Sequence, residues 1–164
     1  MLAALDLRLL RLLRTRGHTP ALEAAMIRLA RAGENGLLWN AIGAAGALLR
    51  PRRRDEYVRA MEIVLATLVV NSVVKQTVRR ARPVLEEELP ALTPVLSGRS
   101  FPSAHSSTSF AGARALSAAG LPAPPLYGLA AAMALSRPYL GVHFPSDVLA
   151  GAVLGDAMAR LMTP

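Results

Sequence analysis

Three short polar stretches interrupt an apolar chain, and each carries residue types suited to phosphoryl groups. KQTVRRARP runs from Lys75 to Pro83, FPSAHSS covers residues 101–107, and SRPYLGVHFPSD covers residues 136–147. Together they hold Lys75, Arg82, Ser103, His105, Arg137, His143 and Asp147. Phosphoryl transfer requires stabilisation of charge on three equatorial oxygens, with attacking and leaving groups in line. One lysine and two arginines supply fixed positive charge, and the guanidinium fork reaches two oxygens at once. Two imidazoles cover two proton-handling roles, one neutral to attack and one protonated to release an alkoxide. A carboxylate four residues beyond His143 can hold the tautomer of that ring, the logic of a Ser-His-Asp triad with histidine as nucleophile.

Local chemistry refines these expectations. Pro83 restricts Arg82 to extended backbone. Ser103 is a candidate N-cap, and the helix it opens would offer N–H groups and a positive dipole end to an anion. Asp147 is expected to open the last helix. Each residue also has a plain reading. Lys75 could snorkel at a helix end, His105 could merely start a helix, His143 could sit in a loop, and Asp147 could be only a cap. Arg79 and Arg80 are assigned to that plain class. His18 receives no role, and the glutamates at 86–88 read as a solvated loop and not as a metal site. Singly the plain readings hold; jointly they leave the gathering of these types in three same-side loops unexplained.

The elements that must position these residues are helical and short. The chain has 164 residues, 52% of them hydrophobic and 18% charged, against about 25% charged in soluble domains. Mean hydropathy is +0.34 and cysteine is absent, which removes disulfides and thiolate metal sites. The net charge is +8, and every basic residue except Lys75 is arginine. Basic loops alternating with apolar stretches point to an anionic substrate or a membrane surface, whereas nucleic-acid binding would need a soluble basic face. Residues 2–16 form an amphipathic helix, with Leu2, Leu5, Leu9, Leu12 and Leu13 on one side and Arg8, Arg11 and Arg14 on the other. It either lies in the headgroup layer or packs on its own domain. Its interleaved arginines do not make a secretory signal. Residues 21–32 form a second amphipathic stretch.

Five apolar segments follow, at 36–49, 60–74, 104–120, 121–135 and 148–163. Each is at or below the roughly 20 residues of a full crossing, and the last three are rich in small residues that suit close helix contact. The expected architecture is an all-α integral membrane bundle of about five short spans behind N-terminal interfacial helices. It forms one domain, with residues 1–32 peripheral and 36–163 the core. A soluble bundle fits the positive hydropathy poorly. Trp39 and Tyr57 are either interfacial anchors or core residues. Following the crossings, Lys75, Arg82, His105 and the 136–147 loop emerge at one end, and the arginine-rich loop 50–59 at the other.

Lys75-x6-Arg82-Pro83, Pro102-Ser103-x-His105 and Ser136-Arg137-x5-His143-x3-Asp147 together resemble the signature of the type-2 phosphatidic acid phosphatase superfamily. The resemblance spans residues 75–147 with one departure, Ala104 where the family usually has glycine, which retains the backbone N–H but narrows the space beside it. It implies a metal-independent, cofactor-free phosphatase in which His143 is the nucleophile and Asp147 orients it. His105 would protonate the leaving oxygen and later activate water. Lys75, Arg82, Arg137, Ser103 and the Ala104 amide would hold the phosphoryl oxygens. The soluble haloperoxidase branch is disfavoured by the apolar segments, so the implied substrate is a lipid phosphate. The stretch GENGLLWNAIG at 33–43, with the small size and Ala–Arg richness, resembles the polyprenyl-phosphoribose phosphatases. These act on decaprenylphosphoryl-5-phosphoribose in arabinan precursor synthesis for some bacterial cell walls. Undecaprenyl diphosphate, phosphatidate and phosphatidylglycerol phosphate stand as alternative substrates, and a non-enzymatic subunit that binds anionic lipid as an alternative class. A multi-pass plasma-membrane protein is implied. Arginines at both ends divide the positive-inside rule, and the reading adopted is a cytoplasm-facing site.

Overall fold

The computed structural model describes residues 2–84, 91–94 and 98–163. The glutamate run at 86–88 lies outside them. Seven α-helices follow in order: α1 (Leu2–Thr15), α2 (Pro20–Ala32), α3 (Leu37–Leu49), α4 (Arg54–Val78), α5 (Ala104–Ala118), α6 (Ala123–Tyr139) and α7 (Pro145–Met162). Single 3-10 turns, Glu34–Gly36 and Pro51–Arg53, precede α3 and α4. The all-α bundle expected from the sequence is the fold observed, with α3 to α7 matching the five apolar segments.

The hydroxyl-rich helix α5 lies at the centre and packs against α3, α4, α6 and α7. Its Ser106, Ser107, Thr108 and Ser109 are all buried. They are tolerated because each finds a partner, for example Ser106 Oγ donating to Val148 O at 2.7 Å and Asn71 Nδ2 donating to Ser107 Oγ at 3.0 Å. The sequence G-A-V-L-G at 151–155 lets α7 approach α5 backbone to backbone. A Cβ on Gly155 would stand 2.0 Å from Ser107 O, and one on Gly151 2.5 Å from Ser103 O. Small-xxx-small spacing of this kind is a packing device of membrane helices.

Two core helices expose apolar stripes. On α4, Leu65, Val69 and Val73 form an exposed stripe at i, i+4, i+8, and on α7 Leu149 and Val153 do the same. The stretch Pro51–Val78 is long and apolar enough to cross a bilayer, and among the described residues it is the one that meets that test. The other core helices, of 13, 15, 17 and 18 residues, are shorter than a full crossing.

Three positions resolve choices left open by periodicity. Trp39 is a core residue, 1% exposed, whose Nε1 donates to Ser109 Oγ at 3.0 Å. Tyr57 is likewise fully buried, and Arg50 Nη1 donates to its hydroxyl at 3.2 Å. Helix α1 packs on the bundle through Asp6, Leu10 and Arg14, at i, i+4, i+8, while Leu5, Leu9 and Leu12 face outward. The buried stripe thus carries two charged side chains beside Leu10, and the exposed arc holds Leu5, Leu9 and Leu12 beside Arg8 and Arg11.

Candidate active site

At one end of the bundle a cavity of about 590 Å³ is lined by Lys75, Arg82, Ala104, His105, Arg137 and His143 together with residues of α4, Glu34 and Asn35 of the turn before α3, and Pro94, Gly98 and Arg99. Each polar stretch reaches it through a local device. Helix α4 ends at Arg79, whose backbone turns left-handed at φ 53°. The chain then continues extended, pinned by Ser100 N donating to Arg80 O at 2.8 Å and Arg82 N to Gly98 O at 3.2 Å. Extended backbone sends residues 80 and 82 to the same side. In the third stretch α6 runs on through Arg137 to Tyr139, and Gly141 at φ 77° turns the chain so that His143 lies between α6 and α7.

His143 is 2% exposed. Arg82 Nη1 lies 3.2 Å from His143 Nε2 and donates to Val142 O at 2.6 Å. Guanidinium has only donors, so Nε2 must present its lone pair and the ring proton belongs on Nδ1. Nδ1 stands 3.5 Å from Asp147 Oδ2, longer than a formed hydrogen bond and without another partner among the described residues. Arg82 therefore sets the tautomer, with Asp147 the nearest carboxylate to the Nδ1–H. Burial is the largest influence on His143 and lowers its pKa to about 4; Asp147 opposes the shift, and Arg82, Arg137 and Lys75 reinforce it. The ring is neutral at physiological pH.

Asp147 differs from expectation. It is the third residue of α7, not its cap, because Pro145 starts the helix at Phe144's carbonyl. Its Oδ2 accepts from Phe144 N at 2.9 Å, the reach-back half of a capping box. Its Oδ1 accepts from Arg80 Nη1 at 2.8 Å. Arg80, assigned to a solvated helix end, is thus part of the site's support: it bridges Asp147 to Asp6 of α1, with Nη2 donating to Asp6 Oδ2 at 2.8 Å and its guanidinium 4.1 Å over the Phe144 ring. Asp6 also accepts from Ser146 N at 2.9 Å and from the Ser146 hydroxyl. Burial acts to raise the Asp6 pKa, but hydrogen bonds from Arg80 and Ser146 outweigh it and hold the carboxyl below its ordinary range. One available signal for Arg80 was its position two residues before Arg82 in a segment that Pro83 keeps extended. Asp6 had none beyond being an acidic residue in a helix of leucine and arginine.

His105, second residue of α5, is held from the N-terminal side. Its Nε2 donates to Ala30 O at 2.9 Å, since a carbonyl can only accept, and Nδ1 is left with the lone pair. Ser103 is the N-cap of α5 as expected, accepting from Ser106 N at 3.4 Å. It is fully buried and not among the cavity-lining residues, whereas Ala104 is. Asp147 likewise stands behind His143 and outside the lining. Arg137 is 5% exposed and its Nε has no hydrogen-bond partner among the described residues. His18 stacks on Tyr139 with ring centroids 3.9 Å apart and bonds Glu23 and Leu13 O, a clamp between α1, α2 and α6 away from the cavity lining.

A model of the PAP2 superfamily matches residues 56–164. The decaprenylphosphoryl-5-phosphoribose phosphatase of Mycobacterium tuberculosis (strain H37Rv) is 37% identical over 149 residues, covering 87% of this chain and 80% of that protein. The protein of that name from Mycolicibacterium smegmatis is 39% identical over 124 residues, covering 75% and 67%. Among solved structures, Aquifex aeolicus LpxE superposes with a TM-score of 0.75 at 24% identity, covering 96% of this chain and 94% of the other. The first transmembrane PAP2-type phosphatidylglycerolphosphate phosphatase from Bacillus subtilis superposes with a TM-score of 0.79 at 24% identity, covering 98% and 84%.

Proposed function

The chain belongs to the PAP2 superfamily, and from that premise we propose that it is a membrane phosphatase hydrolysing a lipid-linked phosphate monoester through a phosphohistidine. The observation that carries this reading is the crowding of Lys75, Arg82 and Arg137 around a neutral, buried His143, with Arg137 nearly sealed from water and its Nε unpaired. Mutually repelling, partly buried cations are stabilised by a polyanion, and a phosphate dianion supplies one.

In the proposed reaction the phosphate displaces Arg82 from His143 Nε2, and that nitrogen attacks phosphorus. Asp147 holds the Nδ1–H and stabilises the charge that develops on the ring. Lys75, Arg82 and Arg137 hold the equatorial oxygens, with the N–H groups that precede the first helical bond of α5, that of Ala104 among them. Ser103 contributes through the cap that fixes this helix end. His105, once protonated on Nδ1, gives that proton to the leaving alkoxide, then takes one from the water that opens the phosphohistidine. No step is assigned to a metal ion. Residues 1–164 act as one catalytic unit.

The substrate proposed is a polyprenyl-phosphoribose 5-phosphate. Support comes from the names of relatives aligned over most of the chain and from the exposed apolar stripes of a bundle that holds a polar cavity. The chain would then be a multi-pass protein of the bacterial plasma membrane, with a lipid phosphate as its ligand and no nucleic acid. Helices α1 and α2 add their arginines to the site's end, which favours a cytoplasm-facing site.

Phosphate release from polyprenyl-phosphoribose 5-phosphate, polyprenyl monophosphate, polyprenyl diphosphate and phosphatidate, with and without EDTA, tests the reading. Preference for the ribose 5-phosphate with indifference to chelation is expected; release from none of them, or reversible loss in EDTA, rejects it. Because the chain has no cysteine, a single Arg16→Cys variant probed in intact cells with an impermeant maleimide reports the side: labelling without lysis rejects the cytoplasmic orientation.

A further inference from the structure

The cavity is not cationic throughout. The turn that precedes α3 contributes Glu34 and Asn35 to its lining. Both are exposed, and neither side chain makes a hydrogen bond or ion pair among the described residues. A carboxylate in a pocket for a dianion works against phosphate binding unless it recognises another part of the ligand.

The turn is built to hold this pair in place. A Cβ on Gly33 would lie 2.3 Å from Met133 Sδ and 3.0 Å from His105 Cδ2, so the turn is wedged against α6 and α5. Gly36, at φ 73°, leaves room for Val64 of α4, where a Cβ would come within 2.6 Å of Cγ1. Gly36 N donates to Gly33 O at 3.1 Å, and Asn40 Nδ2 donates to Gly36 O at 3.1 Å. Asn35 adopts φ 51°, ψ 24°, the left-handed conformation that asparagine enters more readily than other residues with a side chain. A wedged turn that carries two polar side chains, without protein partners among the described residues, into a cavity is how ligand-orienting groups are presented.

We propose that Glu34 and Asn35 form a hydroxyl-recognition subsite that binds the vicinal hydroxyls of a sugar placed between the scissile phosphate and the lipid chain. The two carboxylate oxygens accept from adjacent O–H groups, and the Asn35 amide both donates and accepts. The same negative charge repels a second phosphoryl group bonded directly to the scissile one, so the subsite rejects a diphosphate, whereas in the sugar substrate the phosphodiester lies beyond the ring. This rests on the phosphatase reading and adds to it the residues that choose the substrate.

The test compares kcat/KM for wild type, Glu34→Ala and Asn35→Gly, the glycine preserving the left-handed backbone. Three substrates are used: polyprenyl-phosphoribose 5-phosphate, a polyprenyl monophosphate without hydroxyls, and polyprenyl diphosphate. In both variants the preference for the sugar substrate over the hydroxyl-free one is expected to fall by roughly tenfold, mainly through KM, the loss of a hydrogen bond to a charged or well-fixed group. In Glu34→Ala the diphosphate-to-monophosphate ratio rises by a similar factor. Ratios taken within one preparation cancel any loss of folded protein. Unchanged ratios, or a wild type with no preference for the sugar substrate, overturn the subsite and leave the phosphatase reading standing. A wild type that releases phosphate from none of the three overturns both.

Discussion

The core helices and the two N-terminal helices build the same site by different means. The core carries Lys75, Arg82, His105, Arg137 and His143 to the cavity in three stretches whose internal spacing is set by local devices: a proline, an N-cap, a capping box. Helices α1 and α2 contribute one carboxylate and one backbone carbonyl. Asp6 grips Arg80 and Ser146 behind Asp147, and Ala30 O takes the Nε2 proton of His105. The family model begins at residue 56 and so omits both. Groups that meet phosphate must sit at defined positions in their own loops. Groups that hold them need only arrive at the right place from any element that packs there.

Substitutions can break or sharpen this contrast. The largest effect is expected at the cavity itself. His143→Ala should lower phosphate release by about ten-thousandfold or more while circular dichroism stays native, the scale of losing a nucleophile. His105→Ala should cost about a hundredfold to ten-thousandfold, as for general acid–base groups. His143, the proposed nucleophile, also makes a pH prediction. Native His143 titrates near 4 against 6.5 for the free ring, so between those values the unfolded chain binds a proton that the native protein does not. Acidification through that window therefore destabilises the wild type, and thermal unfolding of His143→Gln should show a shallower decline there; parallel curves would contradict the assignment.

Support residues come next. Arg80→Lys keeps the charge but cannot bridge Asp147 and Asp6 with one fork, and kcat should fall by about a hundredfold with KM little changed, the scale of a misplaced reacting group. A KM effect instead would make Arg80 a phosphate ligand and erase the distinction between the two regions. Asp6→Asn retains acceptor capacity without the charge and should lower kcat by about tenfold. If it matched His105→Ala, the N-terminal helix would belong to the reacting centre. Smallest is Trp39→Phe, which removes the bond to Ser109 and should cost about 1 kcal/mol of stability with no change in rate, read by thermal melting and initial velocity.

Much of the bundle was legible because its signals are local. Apolar segments marked five core helices, small residues marked the close α5–α7 seam, and Ser103 read correctly as a cap. Misreadings arose where a local signal was interpreted without its neighbours. Asp147 looked like a cap, yet Pro145 starts the helix two residues earlier and makes it the residue that reaches back. Arg80 looked like a solvated cation, yet the extended backbone before Pro83 turns it inward beside Arg82. For α1 the sequence left the headgroup layer and packing on the domain both open; Asp6, Leu10 and Arg14 pack on the bundle, and Leu5, Leu9 and Leu12 face outward.

The amino-acid sequence by itself determined the chemistry that this end of the chain can perform: two imidazoles, three cations and a carboxylate, each held by a rule that acts over a few residues. Only the tertiary structure decided that Asp6 would stand behind residue 147 and Ala30 behind residue 105. Hydrogen bonds across 140 and 75 positions of chain form only after helices have packed. Their partners are selected by distance in space, which no spacing along the chain encodes.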